Sequence, residues 1–296
     1  MPAKYFVCPD DEKIEIAKCL EKRGCRLQDR CATLPTLRLM GFDREWRGVS
    51  PSSAGNGPRL LYLKATTDYA INPNNRVWAV FGTSTHDKLS IHDFNVLAEE
   101  KLADSQMSGI ADLLEEDEYI DGSYILSDYK TWGSFKVAKA MGITSEKVDE
   151  PILDADGNLV LLRSGKNQGQ PKTKQVTVIS QNLSKIDMVN EELQLNRYRI
   201  FFEGKGFPIS KMQIQIVSRD GGTYIAKGRG IDKNLYVIPV KRLPDSAVLD
   251  FYDILKAETD QAFKDGTAQK CNAGESWKGR RCTDQYCEVF EACQKL

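Results

Sequence analysis

The sequence predicts a mixed α/β (α+β) protein in which helices flank a mixed central β-sheet and a Cys-rich segment stands at each end. Three observations predict it. Strand-length apolar runs gather in the middle of the chain, helical spacing appears on either side of them, and the eight cysteines fall into two terminal groups with none between Cys31 and Cys271. A chain of 296 residues with 41% apolar side chains can bury one large core or two modest ones without a disulfide lattice. Its 41 Lys and Arg against 42 Asp and Glu leave a net charge of −1, so any anion-binding surface has to be local. The start, MPAKYFVCPDDEKIE, lacks an apolar secretion core, and no stretch approaches about 18 apolar residues, so a soluble, non-secreted protein with no membrane partner is expected.

Taken in order, residues 1–48 form an N-terminal Cys-rich module with one short helical candidate, Glu12 to Glu21. Residues 49–265 form the core, with an inserted hairpin near 150–180, and residues 266–296 form a C-terminal Cys-rich module. Ser50-Pro51 reads as an N-cap followed by proline, leading into Arg59 to Lys64. The run Val77 to Phe81 ends at Gly82-Thr83-Ser84-Thr85-His86, and a helix-sized stretch continues toward Asp93. Phe94 to Leu102, Met107 to Leu114 and Tyr124 to Lys130 have strand length, the last two joined as a hairpin by the acidic stretch ending at Gly122. A second hairpin spans Ile152 to Leu162, with a further strand at Gln175 to Ile179. Ser184 to Phe202 has helical spacing, Met212 to Val217 and Tyr224 to Ala226 flank Asp220-Gly221-Gly222 as another hairpin, Leu235 to Val240 is a strand, and Ala247 to Phe263 is an amphipathic helix.

The chemistry-bearing residues lie around the first hairpin. Asp128 and Lys130, two apart on a strand, project from one face about 6.5 Å apart. If the hairpin is centred near Ile120, Asp112 stands across from Asp128. Two carboxylates sharing a partly buried site call for a divalent metal or a raised pKa. Magnesium or manganese held there would leave room for water and a phosphate oxygen, with Lys130 to neutralise developing charge, and the reaction implied is phosphodiester hydrolysis. The plainer alternative is a hairpin whose acidic ends pair with a lysine. His86, in a chain with two histidines, is a candidate to complete a mixed N/O metal site. Gln194 and Tyr198, four apart, share a helix face from which both could reach a substrate.

In order, Gly82-Thr83-Ser84-Thr85-His86, Ser108-Gly109-Ile110-Ala111-Asp112, Asp128-Tyr129-Lys130 and Gln194-Leu195-Asn196-Arg197-Tyr198 resemble the motifs of the RecB-like branch of the PD-(D/E)XK nucleases, over roughly Ser50 to Phe202. The resemblance implies a restriction-endonuclease-like core and a Mg2+- or Mn2+-dependent deoxyribonuclease, bacterial or phage-encoded and cytoplasmic, acting as an exonuclease on single strands or DNA ends. It implies that His86, Asp112 and Asp128, with the Tyr129 carbonyl, bind the catalytic metal, that Lys130 is the catalytic lysine, and that Gln194, Tyr198 and Arg59 contact substrate. Two rivals stand beside it: a DNA-binding or scaffold protein that keeps the fold without catalysis, and a site-specific endonuclease of a defence system. The segment Thr131 to Asn182 separates the lysine strand from the Gln-x-x-x-Tyr helix more widely than in many members, and its Arg163, Lys166, Lys172 and Lys174 would suit phosphate contact or simply solvate a loop.

The cysteines form a separate question. Without a secretion signal they read as metal thiolates or buried thiols. Several relatives carry an iron–sulfur cluster with one cysteine before the first helix, in a context matched here by Asn56-Gly57-Pro58-Arg59, but Gly57 stands where that cysteine would be. Two self-contained sets, Cys8, Cys19, Cys25, Cys31 and Cys271, Cys282, Cys287, Cys293, account for all eight. Structural zinc suits such sets, with an iron–sulfur cluster as the competitor at the C-terminal one. Trp277, Lys278, Arg280 and Arg281 nearby could clamp a single strand or pack a small metal module.

Overall fold

The computed structural model describes residues 3–42, 46–89 and 96–296 and has a mixed α/β architecture, its central sheet flanked by helices. The chain divides into two compact units, one of residues 1–129, 189–214 and 239–296, the other of residues 130–188 and 215–238.

The first unit opens with strands β1 (Tyr5–Val7) and β2 (Lys13–Glu15) and helices α1 (Ile16–Leu20) and α2 (Leu34–Gly41). After a 3-10 turn at Pro51–Ser53, helix α3 (Pro58–Thr66) starts on a proline at its first position, where the missing N–H costs nothing. Strand β3 (Ala70–Ile71) pairs parallel with β1, and β2 pairs antiparallel with it on the other side. The N-terminal segment therefore has no core of its own. Phe6, Leu37 and Met40 pack in one buried cluster with Leu63 and Ile71 from beyond residue 48 and with Val289 near the C-terminus.

Helix α4 (Pro73–Leu89) begins at the predicted turn cluster, where Asn72 Oδ1 accepts the Asn74 N–H, and runs without interruption through Val77–Phe81 and Gly82. His86 thus sits in its last turn instead of opening a helix. The expected continuation toward Asp93 lies outside the described residues, as does the Phe94 end of the next strand.

Strands β4 (Val96–Ala103), β5 (Ser108–Glu116) and β6 (Tyr124–Trp132) form an antiparallel meander. Asp104 closes the β4–β5 turn by accepting the Gln106 and Met107 N–H groups on one carboxylate oxygen. Helix α5 (Ser134–Ala140), strands β7 (Ile143–Pro151) and β8 (Thr173–Gln181), helix α6 (Val189–Gly204), strand β9 (Ile209–Ser218), helix α7 (Tyr224–Lys227), strand β10 (Leu235–Pro239), helix α8 (Asp245–Asp265) and helix α9 (Phe290–Gln294) follow. The central sheet has the order β10-β9-β6-β5-β4.

Two sequence expectations are corrected. Tyr224 to Ala226 is not the return strand of a hairpin with β9: Thr223 caps α7 there by accepting the Ala226 N–H, and β9 lies between β6 and β10. The hairpin expected at Ile152–Leu162 is only the outer end of a longer ribbon in which β7 pairs with β8 from Ile143–Gln181 to Pro151–Thr173. The ribbon continues outward through bridges at Leu161–Pro171 and Leu153–Leu159. Its two faces are largely exposed, so it lacks the apolar alternation that marks a half-buried strand. Among the described residues no helix is long and apolar enough to cross a membrane.

Candidate functional site

Strand register builds the site. The β5–β6 ladder pairs Leu113 with Ser127 and Leu114 with Leu126, a register that sets Asp112 opposite Asp128. At that step the Tyr129 N–H donates to Asp112 Oδ2 at 2.7 Å, so a side chain takes the place of a backbone acceptor. On the other side, Ala98 pairs with Leu113 and Glu100 with Ala111, which sets Glu99 opposite Asp112. Glu99 holds a left-handed backbone, φ +53°, within the strand.

His86 reaches the same point from the last turn of α4. Its Nδ1 lies 3.4 Å from Asp112 Oδ1 and 3.5 Å from Glu99 Oε1, and the Tyr129 ring meets the imidazole edge-on at 6.0 Å. Ligand atoms of His86, Glu99 and Asp112 all lie within 4.8 Å of one another. The hydrogen bond from His86 to Asp112 lifts the imidazole above its usual range; burial opposes this, and the charges of Asp112, Glu99 and Asp128 add to the rise.

One imidazole nitrogen and two carboxylates form a donor set for a hard or borderline divalent cation. An octahedron with bonds near 2.1 Å has donor–donor edges of about 3.0 Å, close to the 3.4 and 3.5 Å found here. Asp112 is nearly buried while Glu99 is 37% exposed, so one side of the trio opens to solvent.

Asp128 stands beside this trio, not within it. It is buried, and its Oδ1 accepts the Gln194 Nε2 at 3.1 Å. Gln194 and Tyr198 share a face of α6 that meets the acidic strands, Gln194 at Asp128 and Tyr198 at Gly109. The Tyr198 phenol is buried and approaches Gly109 so closely that a Cβ there would come within 3.0 Å of its ring and hydroxyl. Burial, reinforced by Asp128 and Asp112, pushes the phenol well above its usual range, so it stays a neutral hydroxyl. Tyr129 enters through its N–H and its ring. Lys130 follows Asp128 by two residues on β6.

Arg59 is also buried. It donates to Cys293 Sγ at 2.9 Å, to the Cys293 carbonyl at 2.8 Å and to the Ala268 carbonyl, which gives it the role of anchoring the C-terminal segment. Arg281 likewise turns inward, to the Gly55 carbonyl and Asn56 Oδ1, while its guanidinium lies over Trp277. A Cβ on Gly57 would fall 2.2 Å from the Glu275 carboxyl carbon, so that carboxylate fills the space a cysteine would need.

All eight cysteines are free thiols. Cys8, Cys19, Cys25 and Cys31 line one cavity with Phe6 and Leu37. Cys287 and Cys293 pack against the buried cluster that Cys8 and Cys19 also join. In neither set do three sulfurs lie within 4.8 Å of one another.

Glu99 is a residue of the site that none of the sequence motifs marks. The signal that finds it is the second register: a turn at Asp104–Met107 places Glu99 across from Asp112, just as the turn near Ile120 places Asp128 there. No protein-family model and no curated protein matches this sequence.

Proposed function

We propose that this chain is a divalent-metal-dependent deoxyribonuclease with a restriction-endonuclease-like core of the RecB-like PD-(D/E)XK type. The observation that carries the reading is the convergence of His86, Glu99 and Asp112 from a helix end and two neighbouring strands, with a further acid, Asp128, set opposite Asp112. His86, Glu99 and Asp112 would hold Mg2+ or Mn2+. The ion supplies charge neutralisation at a phosphate oxygen and a more acidic bound water.

The remaining residues prepare that site. Tyr129 fixes the Asp112 carboxylate through its N–H and the imidazole through its ring. Gln194 aligns Asp128, whose negative charge borders the trio and helps retain a cation. Lys130 offers a positive charge to the phosphate as the P–O bond breaks. The open, solvent-facing side at Glu99 suits an extended polyanion and admits the attacking water.

The test is degradation of end-labelled single-stranded and duplex DNA by the full chain, with Mg2+, with Mn2+ and with chelator. The wild type should degrade DNA only with the divalent ion, and Asp112→Asn and Lys130→Ala should each lose about 100-fold or more. DNA binding with no cleavage by the wild type under any of these conditions would favour a non-catalytic binding protein instead.

A further inference from the structure

With a net charge of −1, the chain can hold a polyanion only where its cations are gathered. The second unit gathers them. Residues 130–145 carry Lys130, Lys136 and Lys139 with no acidic residue, and residues 224–231 carry Lys227 and Arg229 with none. A buried serine ties these two segments together. Ser134 gives its N–H and its hydroxyl to the Asp220 carboxylate at 2.6 and 2.7 Å, while its Oγ accepts Arg229 Nη1 at 2.9 Å. Gly230 follows with φ +77°, and a Cβ there would lie 2.9 Å from the Ile179 side chain and 3.0 Å from that of Ile143. The backbone that carries Arg229 is therefore held by α5 on one side and by the base of the β7–β8 ribbon on the other.

Beside the buried serine, Phe135 is 56% exposed. A lone exposed apolar side chain needs no explanation, but this one is bordered by charge. The Arg229 guanidinium and Lys139 Nζ each lie 5.9 Å from the ring centre, at the outer limit of a cation–π contact, so they flank the ring without covering it. Asp220 and Asp187 offset these cations in part, at 3.8 and 2.6 Å, yet both cations stay partly exposed. An open ring with fixed cations at its border fits a ligand made of flat aromatic faces joined by anionic linkages. A duplex hides its base faces, whereas a single strand offers them. An acidic peptide would satisfy the cations and leave the ring with nothing flat to stack on.

We propose that Phe135, bordered by Arg229 and Lys139, is a stacking platform for a base of single-stranded DNA, with the two cations taking the flanking phosphates. The proposal deepens the nuclease reading and rests on it for the identity of the polyanion.

The experiment is fluorescence anisotropy of a labelled oligothymidine, and of a duplex of equal length, with the full chain in chelator so that binding is read without cleavage. Phe135→Ala should weaken single-strand binding about 5- to 100-fold, the range for one stacked base, while the unfolding midpoint and duplex binding change little. Phe135→Trp should keep the wild-type affinity. Arg229→Gln should bind more weakly at low salt and show a shallower dependence on salt. Tyr119→Ala, which removes an exposed aromatic from the acidic stretch Glu115–Asp121, is the control and should bind as the wild type does. Wild-type affinity in Phe135→Ala would overturn the proposal, as would an equal loss in Tyr119→Ala or an equal loss of duplex binding. A wild type that binds neither probe would overturn it too. Cleavage by the wild type with Mg2+, beside undiminished binding by Phe135→Ala, would remove this surface and leave the nuclease reading standing. Selective loss of single-strand binding in a chain that cleaves nothing would do the reverse.

Discussion

Glu99 combines a left-handed backbone in mid-strand with a carboxylate aimed at the imidazole of His86, and the two facts belong together. Left-handed geometry at a non-glycine residue costs roughly 1–2 kcal/mol, and it is retained where the side chain has a task. Glu99→Gln keeps the size and removes the charge. It should leave the thermal unfolding midpoint nearly unchanged while weakening Mn2+ binding about 10- to 100-fold, measured by titration calorimetry. Equal Mn2+ affinity in the variant would remove Glu99 from the site. Asp128 calls for a different expectation, because Gln194 donates to it from helix α6. Gln194→Ala should lower the rate of cleavage more than the affinity for DNA, since its side chain donates to Asp128 and aligns that acid. An unchanged rate would deny Gln194 that aligning role.

At the scale of elements, the acidic strands depend on how closely α6 approaches β5. Gly109 is the contact point: an added Cβ would lie 2.8 Å from the Tyr198 ring and 2.9 Å from Pro51. Gly109→Ala should therefore cost about 1–3 kcal/mol in denaturant unfolding, and a neutral effect would show that the helix can retreat. The β4–β5 turn is tied to the same helix by the ion pair of Asp104 with the buried Arg197. Burial disfavours the charge on Asp104, yet hydrogen bonds from Arg197, Met107 and Gln106 outweigh it and hold the carboxyl below its usual range. The stability it contributes is therefore complete above its unfolded value of about 3.9. That contribution is lost as pH falls through the lower folded value. Because the carboxylate is 38% exposed, Asp104→Asn should cost only about 1–2 kcal/mol at neutral pH. The gap between wild type and variant should shrink toward zero in strong acid, as read from unfolding curves between pH 2 and pH 7; a gap independent of pH would contradict the assignment.

For the whole molecule, the elements legible in the sequence were those that bury apolar side chains. Helix α8 buries one face, at Val248, Tyr252, Leu255, Thr259 and Ala262, and its spacing records it, whereas the strands carrying Asp112 and Asp128 show as short apolar runs and α6 is buried on more than one face. The ribbon β7–β8 is exposed on both faces and leaves no such record, and α7 is a single turn set by the Thr223 cap. In the site, the β5–β6 register could be counted from one turn, whereas Glu99 required counting a second turn whose importance no motif announced. The resemblance implies that Arg59 contacts substrate, whereas its burial against Cys293 depends on a chain segment more than 200 residues away. The exonuclease expectation belongs to this scale as well. Closed circular DNA should survive conditions under which the same sequence made linear is degraded, and attack on the circle would mark an endonuclease.

The proposed cation site of His86, Glu99 and Asp112 can be tested on the whole molecule. The most direct measurement is anomalous diffraction from crystals soaked in manganese. One strong peak should appear within bonding distance of His86 and both carboxylates, and it should be lost in Asp112→Asn crystals treated alike. Manganese bound elsewhere, with none among those three side chains, would contradict it.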